Sequence, residues 1–123
     1  MNREIKFRAK NIETINGKTN VFFIGYLVKG SSERYYIARP YCADIEVDKK
    51  TIGQFTGLKD KKGNEIYEGD VLQTRSGIGY MVFDNCGYAI KSSGSEAVDY
   101  EFSAFYTECE IIGNIYDNPE LIS

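Results

Sequence analysis

The sequence contains no histidine and no tryptophan, only two prolines, and three cysteines, at positions 42, 86 and 109. Without an imidazole there is no Ser-His or Cys-His nucleophile pair, no ordinary proton shuttle near neutral pH, and none of the common zinc sites that use histidine. The cysteines are odd in number and form no C-x-x-C hook, so they read as free thiols of a reducing compartment. Cys86, beside Gly87, is a candidate reactive thiol, but neither a His nor a nearby Cys supports catalysis there. No apolar signal segment follows Met1-Asn2-Arg3-Glu4, and no apolar run approaches the ~18 residues of a membrane span. The expectation is a cytoplasmic chain without membrane contact. Scarce proline and 27% charged residues also speak against a disordered or proline-rich linker.

What the sequence has in abundance is Tyr (10) and Phe (7), whose rings favour a pleated, half-buried surface. A length of 123 residues with 42% apolar positions supports one core, and the expected organisation is one domain over residues 1–123. Ile5-Lys6-Phe7-Arg8-Ala9-Lys10 alternates with period two, which predicts a strand with Ile5, Phe7 and Ala9 on one face and a wet face of Lys6, Arg8 and Lys10. Asn16-Gly17 signals a tight reversal before the apolar run from Val21 to Val28. Gly30-Ser31-Ser32 precedes a strand at Tyr35-Tyr36-Ile37, Pro40 interrupts it, and Tyr41 to Val47 resumes the alternation.

The middle of the chain carries the clearest turn chemistry. Asp60 can accept from the backbone two residues on and Gly63 can take a positive φ, which predicts a hairpin between Leu58 and Ile66. Glu68-Gly69-Asp70 is a second reversal that feeds a strand from Val71 to Thr74. Further strands are expected at Tyr80 to Phe83, Tyr88 to Ile90 and Cys109 to Tyr116, with turns at 84–87 and 92–95. Residues 98–105 fit either a strand or a short helix. Asn118 and Pro119 form an N-cap and first position of a short C-terminal helical turn. Short strands separated by Gly-centred turns describe an all-β barrel or sandwich with minor α content.

Three segments together resemble the YopX family of phage and prophage proteins: Arg3-Glu4-Ile5-Lys6-Phe7-Arg8-Ala9, the centre from Thr56-Gly57-Leu58-Lys59-Asp60 through Ile66-Tyr67-Glu68-Gly69-Asp70-Val71, and Ile112-Gly113-Asn114-Ile115-Tyr116-Asp117-Asn118-Pro119-Glu120-Leu121. Their order spans both termini, whereas Asn11 to Lys50 carries no motif of the family. The resemblance implies an SH3-like β-barrel, encoded by a phage or prophage and working in a bacterial cytoplasm, and it brings no established biochemical activity with it. Lys10 departs from the pattern, because relatives often place Trp there.

Charge divides unevenly. Residues 1–62 carry 13 Lys and Arg against 7 Asp and Glu, and residues 63–123 carry 2 against 11. This fits internal complementarity or, more sharply, head-to-tail self-association. Lys6, Arg8 and Lys10 recur about 6.6 Å apart along a strand, near the spacing of nucleic-acid phosphates. With Arg34, Tyr35, Tyr36, Arg39 and Tyr41 they outline a binding surface, and single-stranded nucleic acid is one ligand of matching chemistry. A solvated strand face explains the same residues without a ligand, and a pI near 5.0 opposes general nucleic-acid affinity. Glu65, Glu68 and Asp70 form the best carboxylate cluster, and such a cluster could hold a divalent metal in a hydrolase. Acids flanking a turn glycine are equally explained by solvation and backbone hydrogen bonding. Phosphate-loop and calcium-loop spacings both fail. The expected function is a non-enzymatic interaction module without cofactor, acting through self-association or by binding a host or phage protein.

Overall fold

A computed structural model of the chain describes residues 5–74, 77–84, 87–92, 98–99 and 108–122. Its contacts gather into two compact units, Met1–Phe55 and Thr56–Ser123. Most of the described residues lie in strands and almost none in helix, as the aromatic-rich, turn-punctuated sequence predicts.

In the first unit, β1 (Phe7–Lys10), β2 (Phe22–Lys29), β3 (Tyr35–Ala38), β4 (Ile45–Val47) and the beginning of β5 (Gly53–Lys59) pair in the order β4-β3-β2-β1-β5. Every pairing that involves these strands' recorded registers is antiparallel. The loop between β1 and β2 contains the Asn-Gly reversal, with φ of 51° at Asn16 and 77° at Gly17. Ile15 and Lys18 exchange both backbone hydrogen bonds across it at 2.9 Å, the geometry of a two-residue turn whose twist suits a hairpin. Buried Asn11 fixes the loop's base: its Oδ1 accepts from the Val21 N–H at 3.0 Å and its Nδ2 donates to the Lys18 carbonyl at 2.9 Å.

Register decides which side chains meet. Ala9 lies opposite Phe23, Leu27 opposite Ile37, and Ile37 opposite Ile45. These residues form one packed face around Ala9, Ile37, Ile45 and Val47, with Phe7, Ile15, Phe23, Leu27, Tyr35 and Ile52 against it. At the outer strand, Val47 makes a single bridge back to Asn11, and the Ile12 N–H donates to the Glu46 carbonyl at 3.1 Å. A 3-10 turn at Lys49–Thr51 then leads to β5. Its Thr51 Oγ1 accepts from the Lys10 N–H at 2.9 Å and donates to the Asp48 carbonyl at 2.7 Å. Among the described residues no closed barrel is found.

In the second unit, the end of β5 pairs with β6 (Glu65–Tyr67). A separate sheet joins β7 (Asp70–Thr74), β8 (Gly77–Asp84), β9 (Gly87–Ser92), β10 (Val98–Asp99) and β11 (Glu110–Asn114) in the order β10-β9-β8-β7-β11. Ile66, Leu72, Met81, Ile90 and Cys109 form its core, with Leu58 and Ile111 packed against them. The predicted hairpin between Leu58 and Ile66 is present, with Gly63 at φ 85°. Asp60 does more than close it. One carboxylate oxygen accepts from the Lys62 and Asn64 N–H groups, each at 2.9 Å, and the other accepts from the Ile111 N–H at 3.0 Å, so a single side chain ties the turn to β11.

Three expectations need correction. The strand expected from Tyr41 begins only at Ile45, because Tyr41 sits at φ 60° and the Cys42 N–H donates to the Arg39 carbonyl in a turn. The last long strand ends at Asn114 and carries a register shift between Ile111 and Gly113. Asn118 does precede a 3-10 turn at Pro119–Leu121, but its side chain accepts from the Asn114 N–H at 3.2 Å and does not cap the turn. Val98 and Asp99 are strand; residues 100–107, the turn residues Asn85 and Cys86, and most of the 92–95 loop lie outside the described residues.

Asp60 is 5% exposed. Burial alone would raise its pKa, but the N–H groups of Ile111, Asn64 and Lys62 outweigh it and hold the carboxyl below its usual value. A depressed folded pKa stabilises the fold above the unfolded value, near about 4, and that contribution disappears as pH falls through the folded value. Urea unfolding should therefore show stability declining below about pH 4. Asp60→Asn should cost about 1–3 kcal/mol at neutral pH and flatten that acid limb.

Candidate interaction surface

The outward face of the first unit departs from the usual pattern of an antiparallel sheet, in which one face is apolar and the other polar. β2 is central in the sheet, yet Phe22, Ile24, Tyr26 and Val28 all project to the outer side. Ile24 is 46% exposed, Tyr26 65% and Val28 40%. Their cross-strand neighbours follow from register: Arg8 lies opposite Ile24, Lys10 opposite Phe22, Ala38 opposite Tyr26, and Tyr36 opposite Val28. A shallow groove of about 270 Å³ runs along the stripe, lined by Ile5, Lys6, Ile24, Gly25, Tyr26 and Pro40. A second hollow, of about 450 Å³, lies beside the hairpin loop between Ile15, Lys18, Val21 and Phe22.

Cations border the stripe and partly cover its rings. The Lys6 Nζ is 4.9 Å from the Phe55 ring centre, the Arg8 guanidinium 4.3 Å and the Lys10 Nζ 5.3 Å from that of Phe22. The expectation of a fully wet basic face fails at Lys10, which is 3% exposed. The reason is that β2 offers aromatic faces on the same side, and long basic side chains bury their methylene stems along apolar surface.

The remaining sequence-predicted residues do not assemble into one stacking platform. Tyr35 and Tyr36 are successive strand residues and point to opposite faces. Tyr35 packs on the core, with the Lys29 Nζ 5.9 Å from its ring centre, whereas Tyr36 lies outward between Val28 and Glu46. Arg39 stacks at 5.1 Å on Phe23, a residue of the inner face, and Arg34 pairs with Glu46 at 3.9 Å. Tyr41 stands fully exposed on its turn. The sequence reading did not single out the exposed Ile24, Tyr26 and Val28. Their signal was present: an apolar run of both parities from Phe22 to Val28 means a strand without a polar face.

Glu65, Glu68 and Asp70 lie at the reversal between β6 and β7. Asp70, 2% exposed, accepts from the Tyr67 N–H at 2.7 Å, and Glu65 accepts from the Tyr67 hydroxyl at 3.1 Å. Among the described residues no group of three or more His, Cys, Asp or Glu side chains could hold a metal ion. Cys42 is exposed and Cys109 buried. No described helix is long and apolar enough to cross a membrane.

The central and C-terminal sequence motifs meet in the second unit. Gly69, at φ 94°, donates its N–H to the Met81 carbonyl and accepts from the Ile115 N–H, each at 2.9 Å. A Cβ at Gly69 would lie 3.2 Å from the Tyr116 ring, and one at Gly113 would lie 2.5 Å from the Asn118 Oδ1. Asn114 Oδ1 accepts from the N–H groups of Tyr116 at 3.0 Å and Asp117 at 2.9 Å, which shapes the turn that brings Asn118 back. The sequence profile described as "YopX protein" matches residues 6–123. The chain belongs to the YopX family. No curated protein matches it. In this YopX-family member the central and C-terminal motifs are structural joints.

Arg8 is bound into the fold by its contact with Phe22. Arg8→Glu should therefore do more than invert a surface charge: placing a carboxylate against that ring should lower stability by about 1–3 kcal/mol, read from the midpoint of urea unfolding at unchanged slope.

Proposed function

We propose that the chain is a non-enzymatic interaction module whose working surface is the outward face of its first unit, and that it engages a second copy of itself. The observation that carries this reading is the exposed row Ile24, Tyr26 and Val28 at the centre of a sheet. Contiguous exposed apolar surface rimmed by polar groups marks interaction sites, and central aromatic side chains supply much of the binding energy at such sites. Family membership supports a phage or prophage protein working in a bacterial cytoplasm. The SH3-like barrel is the architecture we propose for the first unit, on the strength of the bridge from Val47 to Asn11 that links its outer strand to the end of β1.

The other two readings draw less support. Lys6, Arg8 and Lys10 lie over phenyl rings, and Tyr35 and Tyr36 face apart, which leaves little of a phosphate-tracking, base-stacking groove. Glu65 and Asp70 hydrogen-bond Tyr67, so a hydrolytic metal site there would have to displace structural bonds.

Sedimentation velocity over a concentration series tests the proposal. The wild-type chain should form species heavier than 13.9 kDa. Tyr26→Glu should remain at monomer mass with an unchanged melting temperature, since Tyr26 contributes little to the interior. A wild-type chain that stays monomeric at its highest soluble concentration defeats the reading.

A further inference from the structure

Resting on that reading, we infer that two copies meet about a two-fold axis and exchange Tyr41: the ring of each enters the groove beside Tyr26 of the other. Tyr41 is the anomaly that points there. It holds φ at 60°, a left-handed conformation that a bulky side chain rarely adopts, in a turn closed by the Cys42 N–H donating to the Arg39 carbonyl at 3.3 Å. Its side chain is fully exposed, so the ring gains no packing within its own chain that would offset the strained backbone. The residue before it, Pro40, lines the groove of about 270 Å³ together with Ile5, Ile24, Gly25 and Tyr26, and with Lys6, whose ammonium lies over the Phe55 ring. Projecting ring and apolar hollow thus flank the same proline. A two-fold contact requires such an arrangement, because one patch must then supply both halves of the fit.

Area decides between this contact and one made by the stripe alone. An aromatic side chain buries roughly 150–250 Å², so Tyr26, at 65% exposure, offers roughly 100–160 Å². Ile24 and Val28, smaller and less than half exposed, each offer less. Two stripes together stay below the ~1,000 Å² of total buried surface that a specific interface needs. Tyr41, exposed over its whole surface, and Ile5, 60% exposed, bring two copies to about that size. An aromatic anchor seated in a pocket is also where binding energy concentrates at an interface.

A two-fold contact closes at the dimer, so sedimentation velocity of the wild-type chain over a concentration series should end at twice 13.9 kDa. Tyr41→Asn should weaken association about tenfold or more. Its melting temperature should be unchanged or higher, because Asn tolerates a positive φ. Tyr41→benzoylphenylalanine, irradiated as a mixture of isotope-labelled and unlabelled copies, should cross-link labelled to unlabelled chains at Ile5, Ile24 or Tyr26. If the wild type associates and Tyr41→Asn associates equally well, if growth continues past the dimer, or if the cross-links join residues of one chain or fall outside the groove, the exchange of Tyr41 is wrong while self-association stands. If the wild type stays monomeric, the reading beneath it fails as well.

Discussion

A β-strand sends side chains to both of its faces, but a unit of some fifty residues has one interior, and an apolar strand placed at its centre must leave half of its apolar side chains outside. β2 is such a strand. Its odd-numbered residues Phe23 and Leu27 pack against Ala9 and Ile37, and its even-numbered residues are left on the outer side. Neighbouring strands respond to this. Arg8 and Lys10 lie over Phe22, which buries the basic stems and shields one ring of the outer row. Ile24, Tyr26 and Val28 receive no comparable cover and stay exposed. The surface through which we propose the chain acts is thus the remainder of a packing problem that the small unit solves on one side only.

Buried polar side chains hold the turns between strands. Asn11 braces the first hairpin loop, Thr51 joins the 3-10 turn to β1, Asp60 joins a hairpin turn to β11, and Asp70 closes the reversal after Tyr67. Each is at most 6% exposed. Such groups are tolerated inside because they are hydrogen-bonded, and each accepts from backbone N–H groups that have no ladder partner at a turn or a strand end. This explains why so many short strands can be connected without helices. It also explains why two of the motif segments of the YopX family are rich in Gly, Asn and Asp: Gly69 and Gly113 give way to Tyr116 and Asn118, and Asn114 organises the turn between them.

The local turns were legible because their chemistry is local. Asn16-Gly17 and Asp60 with Gly63 act within four residues of chain, and both turns form as their residues predict. The strand at Tyr41 misled because period-two alternation continues through a turn whose geometry is set by Pro40 and a positive φ at Tyr41. The basic face was half legible: the alternation of Lys6, Arg8 and Lys10 was correct, but their burial depends on Phe22 and Phe55, which are distant in sequence and adjacent only through register. The carboxylates at 65, 68 and 70 were visible as a cluster, yet the bonds of Glu65 and Asp70 to Tyr67 follow from the way the chain turns around that residue.

The sequence by itself determined the all-β character, the turns at Asn16-Gly17 and at Asp60 to Gly63, the family and the exclusion of histidine chemistry, because these depend on residue type and short-range spacing. Tertiary structure alone decided which strand became central, which of its faces met the core, and which long-range partners Asp60 and Arg8 found. Those outcomes depend on pairing order and register between segments far apart in the chain, and in a sheet a shift of one residue exchanges the inner and outer faces.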